Sequence, residues 1–65
     1  MKRRDLEAHL RSNACRPLRE GAKHAIWVNP DRDVRAPIPR HREIPSGTVR
    51  AICRQLAVPP PQGAR

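Results

Sequence analysis

Three histidines are the side chains of this 65-residue chain best suited to acid–base chemistry, because imidazole exchanges protons near neutral pH. His24 stands in EGAKHAIWVNP, between the turn-forming Gly21 and an apolar stretch that holds the chain's single Trp. His41 lies in the basic segment IPRHREIP, and His9 stands beside Leu6 and Leu10 at helical spacing. The position of His9 is typical of a structural histidine on a helix.

The patterns around His24 and His41 leave their roles open. A single histidine in a strand is more often structural than catalytic, and spacing alone favours that interpretation for His24. His41 could contact a phosphate, act as a second catalytic group or be an ordinary loop residue. The chain has no nucleophile elbow, no glycine-rich phosphate loop and no pair of carboxylates at catalytic spacing, which argues against those enzyme classes.

The two cysteines, Cys15 and Cys53, lie far apart and form no CxxC pair. This spacing favours two buried thiols in a reducing cytoplasm over a disulfide framework or a zinc site. We therefore expect no metal and no other cofactor.

The charge of the chain indicates a polyanionic partner. Fourteen Lys and Arg residues against six Asp and Glu residues give a formal net charge of +8. Domains this basic most often bind nucleic acid, and a basic surface without a partner is the alternative. We expect a cytoplasmic protein with no membrane role, since no stretch approaches the length of a span and no apolar run follows the basic start.

The first half of the chain predicts a helix and an edge strand. Residues 4–13 have Leu6 and Leu10 on one helical face, and Asn13 can end the helix in the left-handed conformation. The segment ACRPLRE predicts a strand with Leu18 as its inward residue, and its proline favours an edge position.

The segments KHAIWVN and VRAPIP predict two further strands, and the prolines of VRAPIP favour an edge position for that strand as well. In KHAIWVN, alternate residues share a face of the sheet. One face carries His24, Ile26 and Val28, and the other carries Ala25, Trp27 and Asn29. We expect Ile26 and Val28 to be buried and His24 to lie at the open end of their face.

The segment PSGTVRAICRQLAV predicts a second helix, with Ser46 as its N-cap. Its apolar stripe has the spacing i, i+3, i+4, i+7 and consists of Val49, Ile52, Cys53 and Leu56. The sequence therefore predicts an α+β domain over residues 1–58, with the order α-β-β-β-α, a three-stranded antiparallel sheet and both helices on one face. Residues 59–65 predict a disordered tail.

The blocks GAKHAIWVNP and PIPRHREIPSGTVRAICRQL, preceded by MKRRDL, resemble the HicA family of bacterial toxins. The resemblance runs from Met1 to about Val58, and its most specific part is Pro-Arg-His-x-Glu-Ile with Gly-Thr-x-Arg. Members are small mRNA interferases with a double-stranded-RNA-binding-like fold, neutralised by a HicB antitoxin. The resemblance thus implies an endoribonuclease with mRNA and a HicB-like antitoxin as partners.

The catalytic histidine of the family follows a glycine and a small residue ahead of the second strand, and His24 matches that position. The resemblance implies that neutral His24 takes the proton from a ribose 2′-hydroxyl, which attacks the adjacent phosphorus without a metal. Cationic residues would offset the charge on the phosphate and hold the RNA backbone. The residues expected to bind RNA are Lys23, Arg40, His41, Arg42, Arg50 and Arg54.

The chain departs from the family pattern at several positions. Members usually carry a second Gly or a Ser where this chain has Ala22 and Lys23, often have an aromatic residue near Cys15, and have a Gly at the position of Ala57. Lys23, beside the imidazole, is the departure expected to alter activity most. Two alternatives to a nuclease are a non-catalytic RNA-binding module that blocks translation and a subunit that chiefly binds the antitoxin.

Overall fold

Two helices flank three consecutive strands in the computed structural model, which describes residues 1–61. The elements are α1 (Arg3–Ser12), β1 (Arg16–Glu20), β2 (His24–Asn29), β3 (Val34–Pro39) and α2 (Ser46–Gln55). The strands form an antiparallel sheet in the order β1-β2-β3, so the proline-containing strands β1 and β3 are its edges. The predicted α+β class, element order and edge positions are confirmed.

One hydrophobic core lies between the sheet and both helices. In β2 and β3, Trp27 pairs with the small residue Ala36, which leaves room for the indole ring, and Ala25 pairs with Ile38. The helices contribute the predicted apolar residues, all buried in the same cluster: Leu6, Leu10, Val49, Ile52, Cys53 and Leu56. Since these side chains meet one face of the sheet, both helices cover that face, as predicted.

In the described part of the chain, no helix covers the other face of β2. Val28 is buried as predicted, but Ile26 is only partly buried, and neither residue belongs to the core cluster. Val28 lies between Arg16 of β1 and Arg35 of β3, whose aliphatic stems can cover it. His24 is exposed on this face.

The prediction for β1 is wrong in one respect, because Leu18 does not point into the core. All five residues of β1 are exposed, and Leu18 is 46% exposed. Pro17 pairs with Trp27 and Arg19 pairs with Ile26, so a bulge leaves Leu18 without a partner in β2. The extra residue breaks the alternation on which the prediction depended.

Asn13 is the C-cap of α1, as predicted, but its predicted left-handed conformation is wrong, and so is the predicted N-cap of α2. Asn13 has a φ of −107°, and it is Ala14 that takes the left-handed conformation, with a φ of 66°. Asn13 instead donates from Nδ2 to the carbonyl oxygen of His9 at 2.9 Å. At α2, Ser46 is the first helical residue, and Pro45 occupies the cap position, where no side-chain hydrogen bond is made.

Two side-chain hydrogen bonds, one of them buried, attach the end of the second helix and the segment after it to the rest of the domain. Asn29, the buried polar residue of β2, donates from Nδ2 to the carbonyl oxygen of Leu56 at 2.7 Å. His9 Nε2 lies 2.7 Å from the carbonyl oxygen of Pro59, which agrees with the structural role expected for His9. Pro61, within the predicted tail of residues 59–65, is buried. Residues 62–65 of that tail lie outside the described part of the chain.

Within residues 1–61, neither helix has the length and apolar character needed to cross a membrane.

Candidate active site and nucleic-acid interface

His24 is the first residue of β2, and a tight turn holds its backbone. The amide of Gly21 donates to the carbonyl oxygen of His24 at 2.7 Å. A Cβ atom at Gly21 would lie 2.9 Å from that same oxygen, which is closer than side-chain carbons normally approach. The turn therefore requires glycine, and it fixes the backbone of an exposed histidine where the strand begins.

The segment after β3 is attached to this turn. His24 pairs with Pro39, so the chain passes directly from the partner of His24 into Arg40. The amide of Arg40 donates to the carbonyl oxygen of Lys23 at 3.3 Å, and its Nη1 donates to that of Gly21 at 3.0 Å. The structure thus brings His24, Lys23 and Arg40 together, as the sequence-based hypothesis requires.

A second long-range pairing joins the start of the chain to the same loop. The amide of Arg3 donates to the carbonyl oxygen of Arg42 at 2.8 Å, and the amide of Ile44 donates to that of Met1 at 2.8 Å. Lys2 and Glu43 form an isolated antiparallel bridge between these bonds. The basic start of the chain therefore lies beside the basic loop that follows β3.

The two basic segments border a groove of about 600 Å³. Its lining residues are all charged, and they are Lys2, Arg3, Arg4, Glu7, Arg40 and Arg42. We call this surface the basic groove. Five cations against one carboxylate make it a strongly positive concave surface, which suits a polyanion.

Arg3 is the cation of the basic groove that is most engaged with acidic residues. Its Nε lies 2.9 Å from Glu7 Oε2 without the alignment of a hydrogen bond, and its Nη2 lies 3.9 Å from Glu20 Oε1. Arg40 Nη1 lies 3.7 Å from the same Glu20 oxygen. Glu20 therefore joins α1 to the loop after β3 at the rim of the groove.

The remaining predicted RNA-binding residues lie outside this groove. His41 is exposed between Arg40 and Arg42, but it does not line the groove. Arg50 and Arg54 are exposed on α2, as the helical spacing predicted, and they do not line it either. The structure thus brings together Lys23, Arg40 and His24, and it leaves the two arginines of α2 as a separate basic surface.

Sequence reasoning missed the contribution of Lys2, Arg3 and Arg4, although MKRR is a visible cluster. The cluster MKRR was an available signal. Its partner segment, about 40 residues away, was not visible from local patterns.

The two thiols are free and buried, as predicted. Burial raises the pKa of the Cys15 thiol, and the negative charge of Asp31 raises it further. Burial also raises the pKa of the Cys53 thiol, with Cys15 as a smaller cause. Both cysteines are therefore protonated, unreactive core residues at neutral pH. Within residues 1–61, no group of three or more potential ligands (His, Cys, Asp or Glu) is arranged to hold a metal ion.

Comparison with known proteins gives one family. The model described as the HicA toxin of bacterial toxin-antitoxin systems matches residues 3–58, which include all five elements. Neither the curated proteins nor the solved structures give a match.

Proposed function

This chain belongs to the HicA toxin family, and on that premise we propose that it is a ribonuclease toxin that binds and cleaves mRNA in the cytoplasm and is neutralised by a HicB-type antitoxin. The observation that carries the proposal is the exposed His24, fixed by the Gly21 turn beside Lys23 and Arg40. A solvent-accessible imidazole on a turn that also carries Lys23 and contacts Arg40 suits proton transfer next to a phosphate.

The proposed reaction is an internal transesterification of RNA. A ring nitrogen of neutral His24 accepts the proton of a ribose 2′-hydroxyl, and the 2′-oxygen forms a bond to the adjacent phosphorus. The bond from phosphorus to the 5′-oxygen breaks, and the leaving oxygen takes a proton from water. The products are a 2′,3′-cyclic phosphate and a 5′-hydroxyl.

Cations beside His24 support this chemistry electrostatically. Lys23 and Arg40, whose backbones are joined by a hydrogen bond, would face the negative charge that builds on the phosphate oxygens. Arg42 would extend the contact along the loop, and His41 would bind a neighbouring phosphate. Arg50 and Arg54 would hold a more distant part of the backbone, with the α-β-β-β-α domain serving as a scaffold of the double-stranded-RNA-binding type.

The proposal is tested with purified protein and three oligonucleotides of one sequence: all ribose, all deoxyribose, and ribose with one deoxyribose at the cleaved position. We expect cleavage of the first in the presence of EDTA, and binding without cleavage of the other two at that position, because the nucleophile is the 2′-hydroxyl. Cleavage of the single-deoxy strand at the modified position, or loss of all activity with EDTA, would contradict the proposed chemistry.

One observation favours the non-catalytic alternative. Within residues 1–61, no hydrogen bond to the His24 ring orients the imidazole, whereas catalytic histidines are commonly oriented by a second group. A basic RNA-binding module that blocks translation would bind all three oligonucleotides and cleave none. The same assay therefore separates the two functions.

A further inference from the structure

We propose that the basic groove is a phosphate-binding subsite for the RNA backbone, which adjoins the residues that surround His24 and shares Arg40 with them. The new residues are Lys2 and Arg4, which lie in one groove with Arg42, already expected to bind RNA, and with Arg3 as a structural cation. The inference rests on the proposed function for the identity of the polyanion, but it does not depend on whether RNA is cleaved.

The first argument is the way in which the groove is built. Backbone hydrogen bonds between the first three residues and residues 42–44 fix two basic segments side by side. The N-terminal ammonium group reinforces this contact, because it donates to the carbonyl oxygen of Ile44 at 3.0 Å and lies 3.4 Å from Glu43 Oε2. The repulsion between clustered cations is therefore offset by specific backbone pairing, and the positive surface is present before a ligand binds.

The second argument is that three of the cations that line the groove form no ion pair within residues 1–61. Arg3 is engaged by Glu7 and Glu20. Within residues 1–61, by contrast, no ion pair involves Lys2, Arg4 or Arg42, and all three side chains are exposed. Three unneutralised cations around one concavity favour a ligand with closely spaced negative charges.

The third argument identifies that ligand as a phosphodiester backbone. Among residues 1–61, only charged residues line the groove, and no aromatic side chain is present there on which a base could stack. None of its lining residues in this part of the chain is apolar, whereas protein interfaces usually have an apolar centre. Phosphate contacts of this kind position a nucleic acid without reading its sequence.

Arg40 connects the groove to the candidate active site. It lines the groove, and its Nη1 donates to the carbonyl oxygen of Gly21 in the turn that holds His24. A strand bound at His24 can therefore continue over the turn into the groove. We expect the groove to hold the phosphates next to the cleaved bond and so to increase affinity, while the chemical step depends on His24.

The test is RNA affinity in the double variant Lys2→Gln/Arg4→Gln, measured with 2′-O-methyl RNA so that binding is observed without cleavage. Both residues are exposed, and Arg3 is left intact because its ion pair with Glu20 links α1 to β1. On single-stranded RNA, each lost phosphate contact lowers the salt slope, which is the slope of log affinity against log salt concentration, by about 0.7. At about 0.1 M salt, this change corresponds to about a fivefold loss of affinity. We expect the dissociation constant to rise by about 25-fold, equally for unrelated sequences, and somewhat more on a duplex.

The matched control is Arg32→Gln/Arg35→Gln, which removes the same charge at the far end of β2 from His24. We expect this control to retain most of the affinity. Glu7→Gln makes the charge of the groove more positive, because it removes the one carboxylate among the described lining residues. The Glu7→Gln protein should therefore bind RNA more tightly than the unmodified protein.

Each outcome decides the proposal. Selective loss in the Lys2/Arg4 variant, with a smaller salt slope, supports the subsite, and use of single-stranded and duplex RNA shows which form it prefers. Equal loss in both double variants would mean that only net charge matters, and unchanged affinity in the Lys2/Arg4 variant would mean that RNA avoids the groove. Either result overturns the subsite, while a lack of cleavage by the unmodified protein affects only the proposed nuclease function.

Discussion

Substitution of Gly21 by alanine tests whether the turn before β2 positions the candidate catalytic residue. The new Cβ would lie 2.9 Å from the carbonyl oxygen of His24, whereas ordinary contacts begin at 3.4 Å. The obstacle is backbone, so the turn itself must move by about 0.5 Å. The hydrogen bond from the Gly21 amide to that oxygen, now 2.7 Å long, would be strained or lost.

The size of the effect follows from this displacement. A misplacement of about 1 Å in a catalytic geometry can cost about 100-fold in rate, so about 0.5 Å should cost about tenfold. Steric overpacking should also lower the free energy of unfolding by about 1–3 kcal/mol. In a domain of this size that corresponds to a fall in Tm of about 5–20 °C.

The assay combines RNA cleavage, RNA binding and thermal melting, with Gly47→Ala as the matched control. Gly47 lies in α2, is exposed, and has no atom within 4 Å of an added Cβ. The control should therefore be as active as the unmodified protein and more stable by up to about 1 kcal/mol. A Gly21→Ala protein with unchanged cleavage rate and Tm would refute the idea that this turn fixes His24.

Three further predictions concern stability. Ala57 has a φ of 58°, so Ala57→Gly should raise the free energy of unfolding by about 0.5–1 kcal/mol in urea denaturation, and a loss would contradict left-handed strain at this position. Burial in the folded state raises the pKa of both thiols above the unfolded pKa of 9.0. The free energy that the two thiols contribute to unfolding should therefore be fully present below pH 9.0 and be lost as the pH rises through their folded pKa values. Urea denaturation at neutral and alkaline pH measures that fall, and the Cys15→Ala/Cys53→Ala protein should lose less. A saturating HicB-type antitoxin at about 100 times its dissociation constant should add about 2.7 kcal/mol and raise Tm by about 10–20 °C, whereas an unchanged Tm would exclude a stabilising complex.

The order of the elements could be predicted because most segments have a clear hydrophobic period. The stripe of α2 and the edge positions of β1 and β3 follow directly from residue type. The faces of β2 were harder, since Ile26 and Val28 on one side are as apolar as Ala25 and Trp27 on the other. Only the packing of the helices decides which pair belongs to the core.

Local patterns also failed where the backbone departs from regular geometry. The bulge at Leu18 turns an apolar residue outward, and nothing in ACRPLRE marks the extra residue. The left-handed conformation falls on Ala14 and Ala57 although alanine does not favour it. At Ala57 the family pattern, which has glycine there, was a better guide than intrinsic preference.

The candidate site also has features that the sequence could predict and features that it could not. Local spacing favoured a structural role for His24, and the family pattern alone gave it a catalytic one. The contact of Arg40 with the Gly21 turn and the pairing of Lys2 with Glu43 connect residues far apart in sequence. The basic groove therefore emerges only in the folded chain, although each of its cations is visible in the sequence.

The most direct test of the catalytic assignment is the RNA cleavage rate of His24→Ala, measured beside His41→Ala and the unmodified protein, with Tm and RNA affinity as checks. Because His24 is exposed and lies outside the core cluster, its loss should leave folding and binding nearly unchanged. If it is the general base, cleavage should fall by about two orders of magnitude or more, while His41→Ala should retain most of the activity. Undiminished cleavage by a folded His24→Ala protein, or loss in His41→Ala alone, would contradict the assignment.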